Sequence, residues 1–204
     1  DKKHLIELSE RNLGYYRKDK ASREALVDPE RHVKRILDTM MKDLRLTEEP
    51  RHIECFDNSN FQGDFAVSAM TVFKDTKPSK KDYRHFNVKT VEGINDFATM
   101  KEVVWRRYKR LKEEGAPLPE LVIIDGGKGQ LHAALESIAD LDLRGKMTLI
   151  GLAKNEEEIF FAGDRESLKL PYDSSSLKFI RKIRDEVHRV GIRFHRNKRS
   201  RGTF

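Results

Sequence analysis

Two aspartates end short apolar stretches whose composition is typical of β-strands. Asp57 ends the stretch that begins at Ile53, and Asp125 ends the continuous apolar run that begins at Leu121. Alone, each aspartate is better explained as the start of a turn. Functional groups gather at the carboxyl ends of strands, and parallel neighbours roughly 4.8 Å apart would let both carboxylates share one ion. The pair therefore favours a metal site, and its hard oxygen ligands suit Mg²⁺ or Mn²⁺.

A third candidate is His188, on the last predicted helix. A lone helical histidine is usually a surface residue, but this one lies on the same side of the helix as Arg181, Arg184 and Asp185. A helix with this charge could cover the crevice at the strand ends. His188 would then serve as a metal ligand, as a general base for water or as a general acid for the leaving oxygen.

The segment after the second strand is rich in glycine, and reads Asp125-Gly126-Gly127-Lys128-Gly129-Gln130. The glycines predict positive φ angles and a backbone that approaches a ligand closely. We expect Lys128 to meet a phosphate near the N-terminus of the next helix. A nucleotide-binding P-loop is disfavoured because the required Walker spacing is missing. Asp96, at the start of an earlier helix, is best interpreted as an N-cap, with a catalytic or supporting role as the alternative.

The charge distribution points to a polyanionic partner. The 204 residues contain 41 Lys and Arg against 34 Asp and Glu, for a net charge of +7. Between Lys178 and Arg201 there are ten basic residues, opposed only by Asp185 and Glu186. Such a run is either a solvated helix face or a surface that tracks phosphates. The candidates for DNA contact are Lys128, Arg181, Arg184, Arg189 and Arg196.

Other features narrow the class of protein. Cys55 is the only cysteine, which excludes an internal disulfide and cysteine-rich zinc sites. No apolar run is long enough for a membrane span, and the first residues contain neither an initiator Met nor an apolar signal segment. We therefore expect a cytoplasmic fragment of a longer protein, monomeric and without membrane contact.

The order of predicted elements indicates an α/β fold. Residues 1–45 are predicted to be helical, with a polar linker over 16–26 and a second helix capped by Asp28. From residue 50 the predicted elements are strands at 52–58, 65–74 and 82–90, helix 96–114, strand 121–125, helix 128–141, strand 147–153, a hairpin at 158–170 and helix 174–195. Three antiparallel strands followed by strand–helix alternation predict an RNase H-like mixed sheet. We divide the chain into a helical N-terminal segment, 1–48, and an RNase H-like domain, 49–204.

Six short segments, in order, resemble the motifs of one family, the UvrC endonuclease domain. They are Glu54-Cys55-Phe56-Asp57, Asp82-Tyr83-Arg84-His85-Phe86-Asn87, Ile124-Asp125-Gly126-Gly127-Lys128-Gly129-Gln130, Gly151-Leu152-Ala153-Lys154, Arg184-Asp185-Glu186-Val187-His188-Arg189 and Phe194-His195-Arg196. The resemblance covers about residues 50 to 201. It differs after the first strand, where many members have Asp-Ile-Ser-His and this chain has Asp57-Asn58-Ser59-Asn60.

The resemblance implies an RNase H-like fold, a divalent metal and an Asp-Asp-His active site made of Asp57, Asp125 and His188. Asp96 matches a further acidic position of the family. The implied activity is the incision on the 5′ side of a lesion in nucleotide excision repair, with damaged DNA and the UvrB–DNA complex as partners. The family's GIY-YIG and helix-hairpin-helix domains have no counterpart in these residues, so we expect no 3′ incision and a reduced affinity for DNA.

Two other functions remain as alternatives. A non-catalytic DNA-binding or scaffolding module could keep the same fold, although it would not need the Asp57, Asp125 and His188 set. An enzyme that hydrolyses nucleotides is the weakest hypothesis, because the Walker spacing is absent.

Overall fold

A computed structural model of the protein describes residues 2–59, 67–88, 95–153 and 157–202. Within these ranges, the description omits the side chains of residues 18, 21, 24–27, 59 and 195–202. The described helices are α1 (Lys2–Val27), α2 (Pro29–Asp43), α3 (Asp96–Glu114), α4 (Lys128–Asp140) and α5 (Ser175–Gly202). The described strands are β1 (His52–Ser59), β2 (Val67–Lys74), β3 (Lys77–Pro78), β4 (Arg84–Asn87), β5 (Leu121–Asp125), β6 (Thr148–Leu152) and β7 (Ile159–Phe161).

The strands form one mixed sheet in the order β3-β2-β1-β5-β6-β7, with β4 also paired to β2. The predicted antiparallel meander is confirmed, since β2 pairs antiparallel with both β1 and β4. The centre of the sheet is parallel, because β5 lies between β1 and β6 and runs with both. This arrangement explains why β5 is apolar up to its final residue, Asp125, since a central parallel strand is covered on both faces. The predicted RNase H-like mixed sheet is confirmed.

Alternating side chains divide the core between the two faces of the sheet. On one face, Phe56 and Ile124 pack with buried residues of α3 and α4. On the other face, Cys55 and Ile123 pack with buried residues of α2 and α5. Because successive residues of a strand point to opposite faces, Asp57 and Asp125 share the face that α5 covers. The topology therefore presents both aspartates to the helix that carries His188.

Helix α2 begins as the sequence predicts. The side chain of Asp28 accepts a hydrogen bond from the backbone N–H of Arg31, and Pro29 occupies the first turn. Met40 and Leu44 then enter the core on the α5 side of the sheet. The division at residue 48 stays a prediction, although α2 shares this core with the strands.

The predicted linker at residues 16–26 is wrong, because α1 continues through it to Val27. The stretch contains no glycine or proline, and its Lys, Arg, Glu and Ala residues all favour helix. Asp19 and Arg23 add an ion pair of 3.0 Å at i,i+4 spacing. The polar composition thus reflects a solvated helix, and even its apolar residues Leu5 and Ile6 are exposed.

A charged cluster is buried between β1 and α3. The Arg107 guanidinium donates to both carboxylate oxygens of Glu54, at 2.6 and 3.2 Å, and the Tyr108 hydroxyl donates to Oε2 at 3.0 Å. The His52 ring nitrogen lies 3.3 Å from Oε1, although without good hydrogen-bond geometry. Burial by itself raises the pKa of Glu54, but His52 and Arg107 outweigh it and hold that pKa below the usual value. Glu54 is therefore a buried carboxylate that stays charged because of its partners.

Among the described residues, no helix combines the length and the apolar character needed to cross a membrane.

Candidate active site

The register between β1 and β5 places the two candidate aspartates side by side. The strands are parallel, and Asp57 is the direct partner of Asp125. Counted over the whole residue, backbone included, both aspartates are 5% exposed. The predicted proximity of the two strand ends is confirmed. Two carboxylates this close and this buried repel one another unless positive charge or a shared proton lies between them.

Helix α5 brings His188 to the same place. The buried side chains of Leu177, Ile180, Ile183 and Val187 form an apolar stripe, of which the last three pack in the core on this face of the sheet. His188 lies at the edge of this stripe. Its Nε2 atom hydrogen-bonds Oδ2 of Asp125 and lies 3.7 Å from Oδ2 of Asp57. One ligand atom from each of the three residues lies within 4.8 Å of the others.

The three side chains fit a divalent cation. Two carboxylates supply the hard oxygen ligands that Mg²⁺ and Mn²⁺ prefer, and the imidazole adds one nitrogen. Oδ1 of Asp125 is buried and has no hydrogen-bond partner among the described residues. A buried carboxylate oxygen without a donor is costly, and coordination to a cation would satisfy it.

Cys55 lies two residues before Asp57 and is fully buried. Burial raises the pKa of its thiol well above the usual range, and the charges of Asp125 and Asp57 raise it further. The thiol therefore stays neutral and acts as a small buried hydrophobe.

The hydrogen bonds around Asp57 fix the end of β1. The Ser68 hydroxyl donates to the backbone oxygen of Asp57 at 2.9 Å. The side-chain amide of Asn58 donates to the backbone oxygen of Asp96, also at 2.9 Å, and so ties β1 to the start of α3. The divergent Asn58 position thus has a structural use, whereas Asn60 lies outside the described residues.

The N-cap interpretation of Asp96 is wrong. Asn95 is the cap of α3, since its side chain accepts a hydrogen bond from the backbone N–H of Ala98. Asn95 and Asp96 are both capable caps, and only the backbone conformation decides which of them stands outside the helix. Asp96 occupies the first turn, and it is not a member of the group of three that closes to within 4.8 Å. Its catalytic role stays a prediction.

The expected positive φ angles in the glycine-rich turn are also wrong. Gly115, Gly145 and Gly163 are the described glycines with positive φ, and none of them belongs to this turn. Close packing explains two of the three glycines instead, whereas a Cβ atom on Gly127 would meet no atom within 4 Å. A Cβ atom on Gly129 would lie 2.3 Å from the Phe97 ring, and one on Gly126 would lie 2.8 Å from the Gln130 side chain. The turn is compact because α3 and α4 approach it closely.

Lys128 begins α4 but its amine is already engaged. Nζ donates to the backbone oxygen of Arg165 at 2.6 Å and lies 5.2 Å from the centre of the Phe160 ring. The side chain thus turns toward the β7 segment, and a phosphate would have to compete with these contacts.

The described arginines of α5 that were predicted to bind DNA form ion pairs with glutamate side chains. Arg181 and Arg184 both contact the carboxylate of Glu157. Arg189 forms a two-point ion pair with Glu186, which also accepts a hydrogen bond of 2.9 Å from the Tyr83 hydroxyl. The side chain of Arg196 lies outside the described residues. The contacts with Glu157 have no signature in the sequence, because 24 and 27 residues separate it from Arg181 and Arg184. The pair of Glu186 and Arg189, in contrast, has the i,i+3 spacing of neighbours on one helix.

Comparison with known proteins agrees with this geometry. Residues 41–192 match the model of the UvrC RNase H endonuclease domain. The chain belongs to this family. The matched range contains the aspartates at the ends of β1 and β5, the histidine of α5 and the first five of the six motifs. The predicted resemblance to the UvrC endonuclease domain is confirmed.

Similar curated proteins include UvrC proteins of several bacteria. The chain is 62% identical over 204 residues to UvrABC system protein C of Flavobacterium psychrophilum, with all of the chain and 34% of that protein covered. It is 54% identical over 201 residues to UvrABC system protein C of Porphyromonas gingivalis W83, with 98% of the chain and 34% of that protein covered. The chain thus spans about a third of the length of these UvrC proteins.

Solved structures give more distant likenesses. Endonuclease V of Ciona intestinalis, in complex with an inosine-containing DNA, has a TM-score of 0.39 and 17% identity, over 60% of this chain and 55% of that one. Endonuclease V of Bacillus subtilis has a TM-score of 0.36 and 15% identity, over 78% of this chain and 91% of that one. At such TM-scores they carry no argument about function.

Proposed function

We propose that this UvrC domain is a divalent-metal-dependent endodeoxyribonuclease that makes the 5′ incision beside a DNA lesion in nucleotide excision repair. The observation that supports the proposal most is the in-register pair Asp57 and Asp125, with His188 brought to both by α5. A scaffolding module would not need two buried carboxylates and an imidazole at one point.

Asp57 and Asp125 would hold Mg²⁺ or Mn²⁺ through their carboxylate oxygens. The ion, when bound, lowers the pKa of water and stabilises negative charge that develops on the phosphate. The burial of the two aspartates excludes bulk water and strengthens their interaction with positive charge. Ser68 and Asn58 keep the end of β1 in place, so the carboxylates need little reorganisation when DNA arrives.

His188 is suited to proton transfer at the edge of this site. Its side chain is 34% exposed, whereas that of Asp125 is completely buried, so the imidazole connects the carboxylates with solvent. The hydrogen bond to Asp125 fixes the orientation of the ring. In that position His188 can take a proton from the attacking water or give one to the leaving oxygen, or it can complete the ligand set.

Damaged DNA and the UvrB–DNA complex are the proposed partners, in line with the UvrABC relatives. Lys128 and the arginines of α5 would contact the phosphate backbone, which positions a strand without reading its sequence. Lesion recognition would then come from the partners. The incision would take place in the cytoplasm, where bacterial DNA lies.

His188→Ala tests the proposed chemistry. Proton transfer by a positioned side chain contributes about 10²- to 10⁴-fold, so we expect 5′ incision of a lesion-containing duplex to fall by that factor. The assay uses the full-length protein with its UvrABC partners, and Mn²⁺ binding is measured in parallel. Retained Mn²⁺ binding would assign His188 to proton transfer, and lost binding would assign it to the ligand set.

His132→Ala is the matched control. His132 is 77% exposed on α4, and its replacement is expected to leave incision unchanged. If His188→Ala incises as fast as the parent protein, the active site proposed for the domain is wrong.

A further inference from the structure

The carboxylate of Glu157 forms ion pairs with two arginines of α5. Arg181 donates to Oε2 of Glu157, and NH2 of Arg184 lies 3.3 Å from Oε1. Each oxygen of the carboxylate thus has its own guanidinium. The three side chains are 16–19% exposed, so this is a largely enclosed ion pair and not a pair in open solvent.

The position of the two arginines relates them to the active site. Arg181, Arg184 and His188 are spaced at i, i+3 and i+7, so they follow one face of α5. At 1.5 Å per residue, Arg184 and Arg181 stand about 6 Å and about 10 Å along the helix from His188. Each nucleotide advances a strand by about 3.4 Å. The arginines are therefore within reach of phosphates one to three nucleotides from a phosphate at the active site.

The chemistry of the contact is that of phosphate recognition. Guanidinium groups bind carboxylate and phosphate oxygens in the same planar, charge-assisted geometry. A carboxylate bound by two guanidinium groups therefore makes the same contacts that a backbone phosphate would make with them. Tyr172 lies beside this contact. The centre of its ring is 3.9 Å from the Arg181 guanidinium, and the residue is 79% exposed. Exposed aromatic rings beside arginines are typical of surfaces that stack the bases of single strands.

The backbone at Glu157 is unusual as well. Its φ angle is +53°, a conformation that residues other than glycine seldom adopt. Such a conformation persists only where surrounding contacts impose it, and it concentrates at functional sites. Among the described contacts of the Glu157 side chain are the ion pairs with Arg181 and Arg184 of α5.

We propose that Arg181 and Arg184 form a subsite for the DNA backbone, beside the active site, and that Glu157 occupies this subsite until a phosphate displaces it. This subsite rests on the proposed nuclease function, since that function makes DNA the ligand, but it concerns the binding of DNA and not its cleavage. Glu157 competes with DNA for the two arginines, so the apparent affinity for DNA is reduced by the fraction of molecules in which the carboxylate fills the subsite.

The test is the binding of a fluorescein-labelled single-stranded oligonucleotide, measured by anisotropy in the presence of EDTA, so that no cleavage is needed. Glu157→Gln is expected to bind the oligonucleotide about three- to tenfold more tightly than the parent protein. The slope of log K against log salt is expected to steepen by about 0.7 to 1.4, the value for one or two more phosphate contacts on a single strand. Glu157→Asp, whose shorter side chain retains the charge, is expected to give an intermediate gain in affinity. It replaces Glu157→Gln in the test if the glutamine variant does not fold.

Glu158→Gln is the matched control. It removes the same charge from the next residue, but Glu158 contacts Lys169 and Ser167, and neither contact involves α5. Its affinity is expected to stay within about twofold of the parent value. Adding Arg181→Gln and Arg184→Gln to Glu157→Gln is expected to abolish the gain.

Three results would overturn the subsite. They are an unchanged or weaker affinity of Glu157→Gln, an equal gain in Glu158→Gln, and a gain that survives the loss of both arginines. A lower melting temperature of Glu157→Gln together with unchanged DNA affinity would identify a structural ion pair only. Because the assay uses no metal and no cleavage, an inactive domain would not disturb it, and a failed subsite would leave the nuclease proposal intact.

Discussion

Asp125→Ala is expected to reduce 5′ incision by about a thousandfold or more. The substitution removes one of the two carboxylates proposed to hold the ion, and with it several kcal/mol of transition-state stabilisation. A loss of about 4 kcal/mol corresponds to about a thousandfold in rate. The binding of DNA is expected to change little, because phosphate contacts come from basic side chains elsewhere on the surface. The measurement is the single-turnover rate of incision, with the DNA dissociation constant determined in parallel.

The fold of the Asp125→Ala protein is expected to persist. The carboxylate is completely buried beside Asp57, so its removal relieves repulsion between like charges. Asp164→Ala provides the matched control, since Asp164 is an exposed residue after β7. Incision by Asp125→Ala at the parent rate would rule out the proposed chemistry, and an equal loss in Asp164→Ala would attribute the effect to general charge.

Arg107→Met is expected to lower the free energy of unfolding by about 3–5 kcal/mol at neutral pH. The change leaves Glu54 charged in a site where it is 0% exposed, and a buried charge without its partner is strongly destabilising. The effect should depend on pH in a defined direction. Because the pKa of Glu54 is lowered in the folded protein, its carboxylate stabilises the fold above the ordinary value of 4.5, and this contribution is lost as pH falls through the folded-state pKa.

The cost of Arg107→Met is therefore expected to shrink as pH falls, because a protonated Glu54 no longer needs a cation. In the parent protein this protonation occurs below 4.5, and in the variant it begins at a higher pH than in the parent, because Arg107 no longer offsets the effect of burial. Urea titrations at several pH values measure both effects. Arg110→Met is the control, because Arg110 lies on the exposed side of α3 with a side chain 67% exposed, and its pair with Glu114 contributes little. A cost that is equally small for both variants would contradict the role given to the buried cluster.

The sequence predicts the fold and the proximity of Asp57, Asp125 and His188 well, and for a physical reason. An apolar strand that ends in aspartate is a local pattern, and the order of strands and helices allows few topologies. The two patterns together place Asp57 beside Asp125. The apolar stripe of α5 is equally local, and it determines that the helix lies on the sheet with His188 at its edge.

What the sequence does not predict depends on contacts between distant segments. The polar stretch in α1 is a separate case, because its residues favour helix and no glycine or proline interrupts them. Gly129 lies against the Phe97 ring and Gly126 against the Gln130 side chain, and neither has a positive φ angle. The arginines of α5 contact Glu157, which is 24 residues from Arg181 in the chain, so no periodicity reveals the pairing.

The decisive measurement for the metal site is the binding of Mn²⁺, determined by calorimetry on this chain and on its Asp57→Ala and Asp125→Ala variants. We expect the parent protein to bind the ion and both variants, while folded, to lose this binding. Such a result would support an ion held between the ends of β1 and β5. If the folded parent protein bound no Mn²⁺, or if both variants bound it as tightly as the parent, the proposed metal site would be wrong and a scaffolding role for the domain would be favoured.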